Sequence, residues 1–302
     1  MKKICIDRTH YGEVLQGIFP SFSLTNRCVI TFPIKINNDK IMPDNDFIKY
    51  TSLYNYISYT KNKKLKINKK KFSKSFKIIK NYEKMFDKKI TGSFNYHSNI
   101  PTEKGLGSSS IDLLSTLKII EIIQKQKIPK NEIYRMCCEI EPTDPLLEKK
   151  ITIFSTISGD IVHLSKLKFP PIKIFSFDTS NNKKGLSTNT VKTPKYKKNE
   201  LEFFDKSFSK IKNMKKFNFK VFKDISFNSL KINQNYYPKK KFDKILEITK
   251  KIKNCLLIGA HSGTLIGVGF KSNYKLNKKD EENLKLISKL LNSKMSKFKS
   301  YE

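Results

Sequence analysis

Between residues 101 and 110 the chain reads Pro-Thr-Glu-Lys-Gly-Leu-Gly-Ser-Ser-Ser. Gly105 and Gly107 can take positive φ and let the backbone approach a ligand closely. Ser108, Ser109 and Ser110 are helix-capping residue types. A helix starting there turns its first N–H groups and the positive end of its dipole outward, which makes an anion site. Lys104 adds a full charge beside it. The chemistry this suits is holding nucleotide phosphates, although a run of glycine and serine is also compatible with a plain capped loop. No Gly-Lys-Ser/Thr closes the segment, so it is not a Walker A loop.

Three further stretches carry polar groups in constrained settings. In Glu141-Pro142-Thr143-Asp144-Pro145 two prolines fix a turn and remove backbone donors, so Asp144 is either a helix cap or a placed catalytic carboxylate. Residues 10–17, His-Tyr-Gly-Glu-Val-Leu-Gln-Gly, read as a β-hairpin with its turn glycines, and Glu13 and Gln16 could equally line a site. Residues 259–264 form a small-residue turn that includes His261, Ser262, Gly263 and Thr264.

The elements that must position these groups show in the periodicity. Residues 91–98 alternate as a strand, and Leu113, Leu114, Leu117, Ile120 and Ile123 fall at helical spacing over 111–124. The glycine-serine segment therefore joins a strand to a helix. Residues 28–36 read as a strand whose Pro33 points to an edge or a bulge. The lysine run 61–74 reads as an exposed loop, and 75–86 and 129–139 as helices. Residues 151–158 and 160–164 form a hairpin turning at Ser158-Gly159. The Pro-Pro pair within 166–171 marks a boundary between a domain over 1–168 and another over 169–302. Beyond it come a strand (172–177), helices (199–212, 219–230, 239–253), two strands (255–258, 265–270) and a last helix (280–292), an α+β sandwich pattern.

Lys+Arg 61 against Asp+Glu 27 gives a net charge of +34 over 302 residues. Such a balance raises the possibility of a basic nucleic-acid-binding protein, whose mark would be a steep salt dependence without ATP turnover. The lysines are spread through nearly every segment and travel with abundant Asn and Ile, which argues instead for a base-composition bias and a solvated face. Five cysteines without a CxxC read as a reduced, cytoplasmic chain, and the scattered His10, His97, His163 and His261 argue against a zinc site. The start lacks the apolar run of a signal peptide, and no membrane span is expected.

Pro101, Gly105, Leu106, Gly107, Ser108 and Ser109 match the phosphate loop of the GHMP kinases, and the sequence resembles that superfamily. More narrowly it is similar to the L-threonine kinase branch of cobalamin assembly. Gly12-Glu13-Val14-Leu15-Gln16-Gly17 stands for that branch's Gly-Glu-Leu/Ile-x-Gln-Gly, and Lys104-Gly105 for the second half of its Gly-Lys-Gly, with Glu103 in place of the first glycine. Glu141-Pro142-Thr143-Asp144, Asn233-Gln234 with Pro238-Lys239, and Ala260-His261-Ser262-Gly263-Thr264 follow in order. Pro145 departs from the small polar residue usual after the aspartate.

The resemblance implies a two-domain α+β GHMP fold: an N-terminal ATP-binding α+β domain and a C-terminal ferredoxin-like α/β sandwich. It implies ATP on Gly105 to Ser110, Lys104 closing on the phosphates, and Mg²⁺ held with Ser109 and Glu141. Asp144 would act on the acceptor hydroxyl. Glu13, Gln16, His261, Ser262, Gly263 and Thr264 would face the substrate, a hydroxy amino acid with L-threonine first. A different small alcohol, or a degenerate ATP-binding scaffold, are the competing kinase-fold readings; joint retention of Lys104, Ser109 and Asp144 argues against the scaffold. The oligomeric state stays open, a homodimer included.

Overall fold

The computed structural model describes residues 2–5, 8–35, 53–180, 192–260 and 263–300. The first half runs β1 (Lys2–Cys5), β2 (Arg8–Phe19), β3 (Leu24–Lys35), β4 (Asn55–Thr60), β5 (Leu65–Lys66), α1 (Ser73–Phe86), β6 (Gly92–Ser98), α2 (Ser108–Gln124), α3 (Lys130–Cys138), β7 (Thr152–Ser155) and β8 (Ile161–Leu164). The second runs β9 (Ile172–Asp178), α4 (Lys198–Lys212), α5 (Phe219–Gln234), α6 (Phe242–Lys250), β10 (Leu256–Gly259), β11 (Leu265–Lys271), α7 (Lys278–Leu291) and β12 (Ser296–Lys299).

These strands form a four-stranded sheet, β1-β4-β6-β5, and an eight-stranded sheet, β12-β9-β11-β10-β2-β3-β7-β8. The larger sheet takes strands from both halves of the chain, joined where Gly259 of β10 pairs with Glu13 of β2. The small-residue turn after β10 is thereby brought beside the first motif of the chain. Packing on β2 and β10 by α5, and on β2 by α4, covers this junction.

Residues 10–17 are not a hairpin in themselves. β2 runs unbroken to Phe19, and the reversal into β3 comes at a short 3₁₀ turn, Pro20–Phe22. Gly12, at φ +54, serves a bulge instead, with the β2–β3 register shifting between His10 and Glu13. A Cβ there would lie 2.6 Å from the backbone of Gly259 and Ala260, so the close approach of β10 also requires glycine. Pro33 sits opposite His10 at that bulge, beyond Cys28 and Val29, where β7 pairs with β3, so an unpaired proline nitrogen costs no β7 hydrogen bond.

α2 is buried nearly all round, from Ile111 and Leu113 on one side to Ser115, Thr116 and Ile119 on others. The reason is its position: it packs on β1 and β4 of the smaller sheet and against α1 and α3. Its buried hydroxyls are satisfied, Ser115 donating to Asn55 Oδ1 at 3.0 Å and Thr116 to the Asp112 carbonyl at 2.7 Å. Cys28, Cys137, Cys138 and Cys255 are free thiols. Among the described residues no helix is long and apolar enough to cross a membrane.

Candidate active site

The loop between β6 and α2 is stitched into place from two sides. Gly12 N–H donates to the Gly105 carbonyl at 3.0 Å, and Leu265 N–H donates to the Lys104 carbonyl at 3.2 Å. Gly263 passes directly under the loop: a Cβ there would stand 2.4 Å from Gly105 N and from the Lys104 carbonyl group. The serines do not cap α2. Gly107 is the capping residue, left-handed at φ +65, and no side chain satisfies the helix start. The first intrahelical bond is Ile111 N–H to Gly107 O at 2.9 Å, so the N–H groups of Ser108, Ser109 and Ser110 have no helical acceptor. All three residues line a cavity of about 390 Å³. Glu103 takes φ +59 without being glycine.

Two charged clusters meet this cavity. In the first, Ser109 Oγ donates to Glu141, and the Lys74 ammonium pairs with the same carboxylate while contacting Ser109 Oγ at 3.1 Å. Asp112 stands beside them; burial first, then the Glu141 charge, push its carboxyl up to about 6 against an Asn55 hydrogen bond and the pull of Lys74 and Lys71. In the second cluster, His10 Nε2 lies 2.9 Å from Asp144 Oδ2. Burial opposes a charge on His10, but Asp144, and behind it Glu13 and the Gly12 carbonyl, outweigh it and raise the imidazole to about 9.

Most of the residues expected from sequence converge here. Gly105 to Ser110, Glu141, Asp144, Glu13, Gln16 and Gly263 all line the cavity. The side chain of Lys104 turns to Asp178, at 2.7 Å, and Ser180, at 3.0 Å, instead of joining the cavity lining. Burial works against the Asp178 charge, yet the Lys104 and Ser180 hydrogen bonds hold its carboxyl below the usual range. Thr264 sits beside Asp178 and accepts through its carbonyl from Thr179, away from the cavity. His261 and Ser262 lie outside the described residues. Lys239, from the Pro-Lys motif, is buried and donates to the Gly263 carbonyl at 2.6 Å, tying the turn under the loop.

Sequence reasoning missed Lys74, His10, Asp112 and Arg27. Lys74 was hidden in the lysine run read as an exposed loop, and it opens α1 instead. For His10 the signal was its place three residues before Glu13, inside a motif that was already singled out.

Ser109 Oγ and the Glu141 carboxylate are hard oxygen donors in mutual contact, and a cationic ammonium already rests on them. That donor set fits Mg²⁺, which takes one or two protein oxygens and keeps waters and phosphates for the rest. His10, Glu13 and Asp144 also offer ligand atoms within 4.8 Å of one another. A histidine held protonated has no lone pair to give, so this second group serves better as a charge pair than as a metal centre.

Comparison with known proteins finds similarity in part of the sequence and in the fold. Residues 72–145 match the family model described as GHMP kinases N terminal domain. Over 125 residues the chain is 29% identical to the homoserine kinase of Lactococcus lactis subsp. cremoris (strain MG1363), covering 39% of this chain and 40% of that relative. The chain thus spans about two-fifths of the length of the curated relatives it matches. The fold is shared with the Methanococcus jannaschii mevalonate kinase at a TM-score of 0.61 and 15% identity, over 100% of this chain and 99% of that one. It is shared also with the Streptococcus pneumoniae phosphomevalonate kinase in complex with phosphomevalonate and AMPPNP, at a TM-score of 0.64 and 9% identity, over 99% and 100%.

Proposed function

We propose that the chain is a GHMP-type kinase, a reading supported by the match of residues 72–145 to the N-terminal domain model, and that it transfers the γ-phosphoryl group of ATP to the hydroxyl of a small hydroxy amino acid. The observation that carries this is one cavity uniting three parts. It holds a helix start with free N–H groups, an oxygen pair fit for Mg²⁺, and a carboxylate fixed by a buried cation. Phosphoryl transfer is mostly positioning and charge stabilisation, so such a set suffices.

In this reading the N–H groups of Ser108 to Ser110 hold the phosphates. Ser109 and Glu141 hold Mg²⁺, which when bound neutralises charge on the transferring group. Lys74, free to leave Glu141 for a phosphate oxygen, adds a second positive charge. Asp144 orients the acceptor hydroxyl and takes its proton as the new O–P bond forms and the bond to the β-phosphate breaks. His10 keeps Asp144 aimed. Lys104 acts at one remove, locking the loop to Asp178.

The acceptor we favour is L-threonine, giving O-phospho-L-threonine, on the Gly12–Gly17, Glu141–Asp144 and Ala260–Thr264 motifs. L-homoserine is the second acceptor, favoured by the similarity to the Lactococcus enzyme. An ADP-release screen with Mg-ATP over L-threonine, L-homoserine, L-serine, galactose and mevalonate, followed by mass spectrometry, tests the reading. Phosphate on a sugar or on mevalonate would remove the amino-acid claim, and no ADP release with any hydroxyl compound would remove the kinase claim.

A further inference from the structure

Arg27 is the feature of the cavity that the reading above leaves unused. It lines the cavity from β3 and is only 6% exposed. None of the ion pairs among the described residues includes it. A buried guanidinium with no carboxylate partner among the described residues is costly unless an anion is supplied to it.

The residue is also held rigid. Its Nε donates to Thr156 Oγ1 at 3.1 Å, and its own carbonyl accepts from Thr156 N–H at 3.1 Å. The Tyr237 hydroxyl stands beside the guanidinium. With side chain and backbone both pinned, the fork loses little entropy on binding a ligand.

Its place relative to the phosphate loop follows from a chain of contacts. Gly107 of the loop abuts His10, His10 meets Asp144, Thr143 N–H donates to the Thr156 carbonyl, and Thr156 holds Arg27. Arg27 is thus connected to the loop through Asp144. It shares a strand face with Val29, two residues on, and Val29 pairs with Gln16 of β2. Gln16 is itself 3% exposed and lines the cavity, and its side-chain amide stands beside the Tyr196 hydroxyl. A fixed cationic fork and an amide donor therefore share one patch of the cavity floor.

We infer that this patch binds a carboxylate of the acceptor, the Arg27 guanidinium pairing with it and Gln16 Nε2 donating to it. The acceptor class is then a hydroxy carboxylic acid, and neutral sugars and simple alcohols are excluded. The inference rests on the reading of the cavity as a kinase acceptor site.

The test is binding, not turnover, so that the two claims fail separately. Protein loaded with Mg-AMPPNP is titrated calorimetrically with L-threonine, L-homoserine and glycerate, and with the amide of each. The wild type is expected to bind at least one acid about 10- to 100-fold more tightly than its amide, the worth of a charge-assisted pair. Arg27→Gln should abolish that ratio while AMPPNP affinity stays within about 3-fold. Arg27→Lys, which keeps the charge without the fork, should retain part of it and serves if the glutamine variant is unfolded. Equal binding of acid and amide to the wild type, binding of no acid at all, or an Arg27→Gln loss that falls equally on AMPPNP would each overturn the inference. Carboxylate-dependent binding without phosphorylation of any acceptor would leave it standing and defeat the kinase reading instead.

Discussion

Replacing Asp144 by Asn removes one negative charge while keeping the size of the side chain, and two separate consequences follow. The first is on stability. His10 is raised from its ordinary 6.5 to about 9, against burial, chiefly by Asp144. Two and a half pH units correspond to about 3 kcal/mol of native-state stabilisation, a net figure in which burial is already set against Asp144, Glu13 and the Gly12 carbonyl. The sign is fixed by linkage. A folded value above the unfolded one contributes fully below about pH 6.5, declines as pH rises, and is gone above about pH 9. The wild type should therefore exceed Asp144→Asn in denaturant-unfolding stability by about 3 kcal/mol near pH 6, with the gap closing toward pH 10. The second consequence is on turnover, where kcat should fall by roughly 10²-fold or more while nucleotide affinity is kept. A stability gap that does not change with pH would refute the charge pairing. Near-normal kcat in a folded variant would return Asp144 to a structural role.

Gly107→Val should abolish nucleotide binding, because φ +65 is strained for valine and the new Cβ would lie 2.4 Å from the His10 ring; unchanged affinity in a folded variant would remove the loop assignment. Gly263→Ala should weaken nucleotide binding without touching a ligand group, since its Cβ would press at 2.4 Å on the backbone of residues 104 and 105. Calorimetric titration with AMPPNP checks it, and full affinity would mean the loop position is not set from below. Lys74→Met should lower kcat/KM for Mg-ATP by about 10- to 100-fold, the worth of one charged contact, and excess Mg²⁺ should restore part of it. Wild-type kinetics would leave Lys74 a surface lysine.

What the chain made legible was contiguous. The strand, the two glycines and the helix after them lie within one short stretch, and the same holds for the proline-fixed turn at Asp144. Local sterics and helix periodicity act over such distances, so the glycine-serine loop from strand to helix and the acidic turn could be read without a structure. Glu13 and Gln16 were legible as polar residues in a glycine-bracketed motif, but not the single strand that carries them. Whether Gly12 makes a turn or a bulge depends on the β10 backbone passing 2.6 Å away. Side-chain pairing was likewise decided by the tertiary structure alone. Lys74 is one of many lysines until α1 sets it on Glu141, and Lys104 reads as a phosphate ligand until β9 presents Asp178 to it. His10 meets Asp144, and Arg27 meets Thr156, across separations of more than a hundred residues. Those meetings are fixed by the registers of one antiparallel sheet, in which strands from the two ends of the chain lie side by side. Sequence spacing holds no record of that register, because it is set by which apolar faces bury together and not by the polar residues that it happens to align.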